Sequence, residues 1–67
     1  MEKATIKQLR KGDFFTLKHY EEVKELNVWV RGEYDRSSKT YECYKFYDVN
    51  HIHFFRPNRF VYTNFIF

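Results

Sequence analysis

Val28-Trp29-Val30-Arg31-Gly32-Glu33-Tyr34 runs into Asp35-Arg36-Ser37-Ser38-Lys39, and Thr40-Tyr41-Glu42-Cys43-Tyr44-Lys45-Phe46-Tyr47 returns from it. The flanking runs are rich in β-branched and aromatic residues, and the segment between them is polar and turn-forming. This pattern predicts a β-hairpin. Two registers are open. If Asp35 pairs with Thr40, Tyr34 faces Tyr41, Arg31 faces Tyr44 and Trp29 faces Phe46, but Glu33 faces Glu42 in a mild repulsion. A one-residue shift removes that clash and sets Trp29 against Lys45. Such a slip exchanges the faces of a strand, and the residues alone do not choose.

Toward the N-terminus, Lys11-Gly12-Asp13 is a turn signal, and Phe14-Phe15-Thr16-Leu17-Lys18 reads as a strand. Ile6 and Leu9, three apart, suit either a half-buried strand or one helical turn capping the end of a barrel. His19–Leu26 has a weak helical pattern through Tyr20, Val23 and Leu26. Eight residues are too few for an independent helix, so a loop with one helical turn is expected. Toward the C-terminus, Asp48-Val49-Asn50 signals a turn, followed by a second hairpin: His51–Phe55, the turn Arg56-Pro57-Asn58-Arg59, and Phe60–Asn64. Pairing Phe55 with Phe60 places Ile52, Phe54 and Val61 on a core face. His51, His53, Tyr62 and Asn64 then fall on a solvent face. Phe65-Ile66-Phe67 is read as part of the last strand.

These elements predict an all-β fold for residues 1–67 as a single small domain. It is a five-stranded meander closing into an SH3-like barrel or roll, with room for one short helical turn. An open sheet with one short helix is the second choice.

The chain has 67 residues, of which 22% are aromatic, and a formal net charge of +3. A domain of this size buries only about 60% of its unfolded surface, so most of the rings are needed for the core. The single Cys cannot form an internal disulfide, and it excludes zinc sites built from two or more cysteines. No apolar run reaches ~18 residues, and the N-terminal residues carry no apolar signal segment. The expectation is a soluble, cytoplasmic protein. The charge is uneven: residues 49–67 carry Arg56 and Arg59, six aromatic residues and no acid.

Lys11-Gly12-Asp13-Phe14-Phe15, Val28 through Lys39, Cys43-Tyr44-Lys45-Phe46 and Asp48-Val49-Asn50 together resemble a group of short uncharacterised bacterial proteins of gut anaerobes and mobile elements. The resemblance spans residues 9–67 and implies a bacterial, cytoplasmic, single-domain protein. It supplies no activity to carry over. Residues 19–26 fall outside the shared pattern, as a variable loop does.

His51 and His53 are two apart on a strand and point to one face. That spacing can chelate a metal, but a third ligand would have to come from Cys43, His19 or a carboxylate. Two imidazoles on a solvated face is the plainer reading, and no metal or cofactor is assigned. Cys43 with a His has the elements of a nucleophile–base pair. Yet no oxyanion donor or phosphate loop accompanies it, and a chain this short rarely builds a cleft of ~300 Å³. Cys43 is read as a small buried hydrophobe, and the protein as not an enzyme.

Two binding readings remain. Lys7, Arg10 and Lys11 near one turn, Arg31 and Lys45 on the central hairpin, and Arg56 and Arg59 at the last turn are the ingredients of a nucleic-acid surface. Trp29, Tyr44, Phe55 and Tyr62 would be its stacking partners. The predicted binding face is therefore Trp29, Arg31, Tyr44, Lys45, Phe55, Arg56, Arg59 and Tyr62. The leading reading is a protein-interaction or structural module. With 43% hydrophobic residues, more apolar surface is present than five strands enclose, and exposed apolar patches mark interfaces. Phe60–Phe67, apolar on both faces, is the expected sheet edge, for a homodimer or a protein partner.

Overall fold

The computed structural model describes residues Met1–Phe67. Six strands form: β1 (Glu2–Thr5), β2 (Phe14–Phe15), β3 (Trp29–Asp35), β4 (Thr40–Lys45), β5 (Asp48–Phe55) and β6 (Phe60–Thr63). The fold is all-β, with short 3-10 turns at Ile6–Gln8 and Glu25–Asn27 as its helical content. β2-β3-β4-β5 make one antiparallel sheet, and β1 and β6 make a second. The two are stitched at Thr16, which exchanges backbone hydrogen bonds of 2.8 and 3.0 Å with Tyr62. No ladder joins β1 to β5.

The central hairpin uses both candidate registers. Near the turn Asp35 pairs with Thr40 and Tyr34 with Tyr41; beyond it Arg31 pairs with Cys43, Val30 with Tyr44 and Trp29 with Lys45. A β-bulge between Arg31 and Tyr34 absorbs the difference. It takes Glu33 out of direct opposition to Glu42, and Glu33 instead forms an ion pair with Lys11. Asp35 closes the turn by accepting from the Ser37 amide (2.9 Å), and Lys39 takes a positive φ of 57°. The Lys11-Gly12 turn also forms as expected, with Gly12 at φ 93°.

Several expectations are corrected. β5 and β6 do not form a hairpin with each other: β5 pairs with β4, and β6 pairs with β1. The Arg56–Arg59 turn carries the chain from one sheet to the other. Its carbonyls are claimed from elsewhere, with the Ile6 amide donating to Arg59 (3.1 Å) and the Lys7 amide to Pro57 (3.0 Å). The faces of β5 are also reversed. Phe55 enters the core, whereas Ile52 and Phe54 lie exposed. The turn expected at Asp48-Val49-Asn50 falls instead at Phe46-Tyr47, and β5 begins at Asp48. Asp48 pairs with Lys45 and Ile52 with Tyr44, so residues 49–51 bulge from the ladder. Asp48 accepts from the Asn50 amide at 3.1 Å within that bulge.

β6 stops at Thr63, because Asn64 turns the chain at φ 60°. Phe65–Phe67 is therefore not strand, and the Phe67 ring folds back onto Phe14 and Phe46. β1 is an additional strand, made possible by its partner β6. Between the sheets lies a core of Ile6, Leu9, Phe15, Trp29, Cys43, Phe55 and Val61. Phe15 stacks on Trp29 (6.5 Å, 16°) and meets Phe55 edge-on. These rings supply the large buried areas a small domain needs. No helix is long and apolar enough to cross a membrane.

Candidate functional site

Strand alternation divides the four-stranded sheet into two faces. Directly opposed residues share a face, so Phe15, Trp29 and Lys45 lie together, as do Arg31, Cys43 and His53, and Tyr41 and Phe55. This inner face covers the core. The outer face carries Phe14, Val30, Tyr44 and Ile52 as one row across all four strands, with Glu42 and Phe54 in the next row.

The inner face continues past the core as a ribbon of cations and rings. Lys45 Nζ lies 4.6 Å from the centroid of the Trp29 indole and donates to the Leu26 carbonyl at 2.8 Å. The indole meets His51 and His53 edge-on at 5.7 and 6.4 Å, and His53 lies 4.5 Å from Phe55. The Arg59 guanidinium sits 5.7 Å over Phe55. Arg31 lies 4.0 Å over the Tyr41 ring. Its Nε is shut from solvent without an acceptor, so attraction to the ring face offsets that loss.

The expected binding face is thus partly assembled. Trp29, Arg31, Lys45, Phe55 and Arg59 share one side, and Arg56 stands exposed at its end. Tyr44 lies on the opposite face of the sheet. Tyr62 belongs to the other sheet, where its ring meets His19 at 5.6 Å. Trp29 and Phe55 are buried, which removes them as platforms for stacked bases. His51 and His53 join the ribbon, and their two-residue spacing is the sequence signal that sets both imidazoles on one side of β5, against Trp29.

The outer face carries exposed apolar side chains at both of its sides. Phe14, Phe46 and Phe67 form a mutual cluster with centroids 5.1–5.6 Å apart, each more than a third exposed. Ile52 and Phe54 are each 47% exposed at the other side of the same face. Sequence reading missed this patch by assigning Ile52 and Phe54 to the core and Phe67 to a strand.

The patch ends at a free strand edge. Arg31 directs its N–H to Asp13 (2.9 Å) and its carbonyl to Gly12 (2.8 Å), and the Phe46 amide donates to Val28 (3.0 Å). By antiparallel alternation, Tyr44 turns its polar backbone to β3 and Cys43 turns to β5. His53 and Phe55 therefore face β4, and the N–H and C=O of Ile52 and Phe54 face outward with no strand beside them. β6 is not an edge in this sense, since β1 flanks it on one side and Thr16 on the other. The second edge, β1, carries the charges of Glu2 and Lys3, which discourage pairing. Between Val49 and Phe55 there is no Lys, Arg, Asp, Glu or Pro.

Cys43 is fully buried, with Sγ 3.7 Å from the Tyr41 carbonyl. Burial pushes its thiol up to about 11, so it stays protonated and unreactive near neutrality. No three of His, Cys, Asp and Glu converge within one chain. The largest groove, about 450 Å³, runs past Glu2, Leu9, Asp13, Phe14 and Phe65. A smaller one, about 300 Å³, lies beside His53, Phe55, Arg56 and Arg59. No family model matches the chain, and neither a curated protein nor a solved structure shows significant similarity to it.

Proposed function

We propose that the chain is a non-catalytic protein-interaction or structural module that associates with a second copy of itself through β5. The observation that carries this is the coincidence of a free strand edge, uncharged from Val49 to Phe55, with the exposed side chains of Ile52 and Phe54 at the end of the outer-face row. Edge pairing satisfies the outward backbone groups and extends the apolar row into the second copy. The earlier expectation of pairing through Phe60–Phe67 moves to β5, because β6 already has neighbours on both sides. The finer fold reading, an SH3-like roll, rests on the Thr16–Tyr62 stitch between the two sheets. The resemblance to short bacterial proteins supports a cytoplasmic setting.

Sedimentation equilibrium of the purified chain tests the reading. A monomer–dimer equilibrium that Phe54→Lys abolishes is expected. A monomer at all concentrations, or a dimer indifferent to that change, contradicts it.

One observation favours a second reading, nucleic-acid binding: Lys45, Arg59 and Arg56 border the inner ribbon, and no Asp or Glu follows Asp48 in the sequence. Binding of this kind would be tight at low salt and fall steeply as salt rises. Absence of single-stranded oligonucleotide binding at low ionic strength rejects it.

A further inference from the structure

We infer that two copies paired along β5 build a transition-metal site, suited to zinc, from His51 and His53 of each copy. The inference rests on the self-association proposed above and adds the group that stabilises it.

The bulge at residues 49–51 removes the first half of β5 from regular pairing. The regular edge is Ile52–Phe55, and only Ile52 and Phe54 present free backbone groups there. A two-fold arrangement in which both residues find partners within this stretch has one solution. Ile52 pairs with Phe54 of the second copy, Phe54 pairs with Ile52 of the second copy, and the axis passes between the two His53 residues. On the outer face each exposed Ile then meets an exposed Phe. Polar residues flank this stretch on both sides, with Asn50 before it and Arg56 after it, and any other axis sets one of the apolar pair against one of them.

On the inner face the same axis sets His53 directly opposite His53 of the second copy. This is a non-hydrogen-bonded position, where opposed Cβ atoms are about 4.5–5.5 Å apart. The two His51 residues lie diagonally on either side. Within one chain both imidazoles already gather at the same indole, 5.7 and 6.4 Å from Trp29, and both residues are exposed. Each chain supplies two ligands, fewer than a zinc site needs; two chains supply four, the usual number for a closed site. Cations border the site, each with a contact of its own: Lys45 donates to the Leu26 carbonyl, Arg31 lies over Tyr41, and Arg59 lies over Phe55 in the groove it lines with His53. Cys43, opposite His53 in the ladder, is sealed in the core.

The need for a metal follows from the size of the contact. A regular edge of four residues gives few backbone hydrogen bonds, and stable interfaces usually bury at least about 1,200 Å². The metal-free dimer is therefore weak, and a metal held by both copies strengthens it by mass action.

The test is sedimentation equilibrium of the full chain, first with a chelator and then with added Zn²⁺, with metal content measured on the dimer. A weak metal-free dimer is expected. At a zinc concentration about 100 times the site's Kd, association should tighten about 100-fold, with one zinc per two chains. His51→Ala/His53→Ala should lose the zinc response, so that its association constant is the same with chelator and with zinc. Ile52→Lys should remove both. An unchanged equilibrium on adding zinc, or a zinc response that survives loss of both histidines, overturns the metal site. In either case a metal-free dimer sensitive to Ile52→Lys leaves the self-association reading standing. A dimer that tolerates Ile52→Lys overturns that reading and the site together.

Discussion

Gly32 and the Glu42 carbonyl are in contact at the β3–β4 bulge: a Cβ added at Gly32 would overlap the Glu42 oxygen and lie 3.3 Å from its carbonyl carbon. The obstacle is backbone, so no side-chain rotation relieves it. The bulge lets one hairpin hold two registers and turns Glu33 away from Glu42. Gly32→Ala is therefore expected to cost about 1–3 kcal/mol, as overpacking does. A shift of the urea midpoint measures this, and an unchanged midpoint would show that the bulge tolerates a side chain.

The core and the outer patch should respond oppositely to truncation. Phe15 is fully buried against Trp29 and Phe55. Phe15→Ala should cost about 3–5 kcal/mol, enough to unfold a marginal domain and flatten its near-ultraviolet circular dichroism. Phe54→Ala, on the exposed face, should stay within about 0.5 kcal/mol of the parent.

Cys43 should resist thiol reagents at pH 8 until the chain unfolds. Its folded pKa, about 11, lies above the ordinary value of 9.0 because burial disfavours the thiolate. Below pH 9 the thiol is protonated in both states, and its stabilising contribution is complete. Between pH 9 and about 11 the unfolded chain releases the proton first, so that contribution declines. The difference in unfolding free energy between the parent and Cys43→Ala should shrink over that window. A constant difference would show that the thiol is not held protonated by the fold.

The Lys11–Glu33 ion pair is exposed on both sides. The pair raises the lysine pKa and lowers that of the carboxylate, but water screens the attraction. Glu33→Gln should leave the thermal midpoint essentially where it is, at low and high salt alike. A large drop would mean that the bulge depends on this contact.

The central hairpin was legible because strand–turn–strand information is local: alternating aromatic residues, then Asp35 and its serines. Its register was not legible, since each candidate is correct for half the hairpin and the bulge at Gly32 joins them. The second hairpin failed for a different reason. Pro57-Asn58 makes the same kind of tight turn whether the chain doubles back or crosses to another sheet. The bonds from Ile6 and Lys7 that decide between them come from fifty residues away. Glu2–Thr5 has little β character of its own and becomes a strand only on β6. The misplaced faces of β5 hid the candidate site, since Ile52 and Phe54 looked like core. The surplus of apolar side chains was visible in composition, but its location was not.

The most direct measurement is amide hydrogen exchange at Ile52 and Phe54 as a function of protein concentration. Self-association through β5 predicts fast exchange at both amides in dilute solution and marked protection at high concentration. His53 and Phe55, bonded to β4, should be protected throughout. Exchange at Ile52 and Phe54 that does not change with concentration would contradict the account.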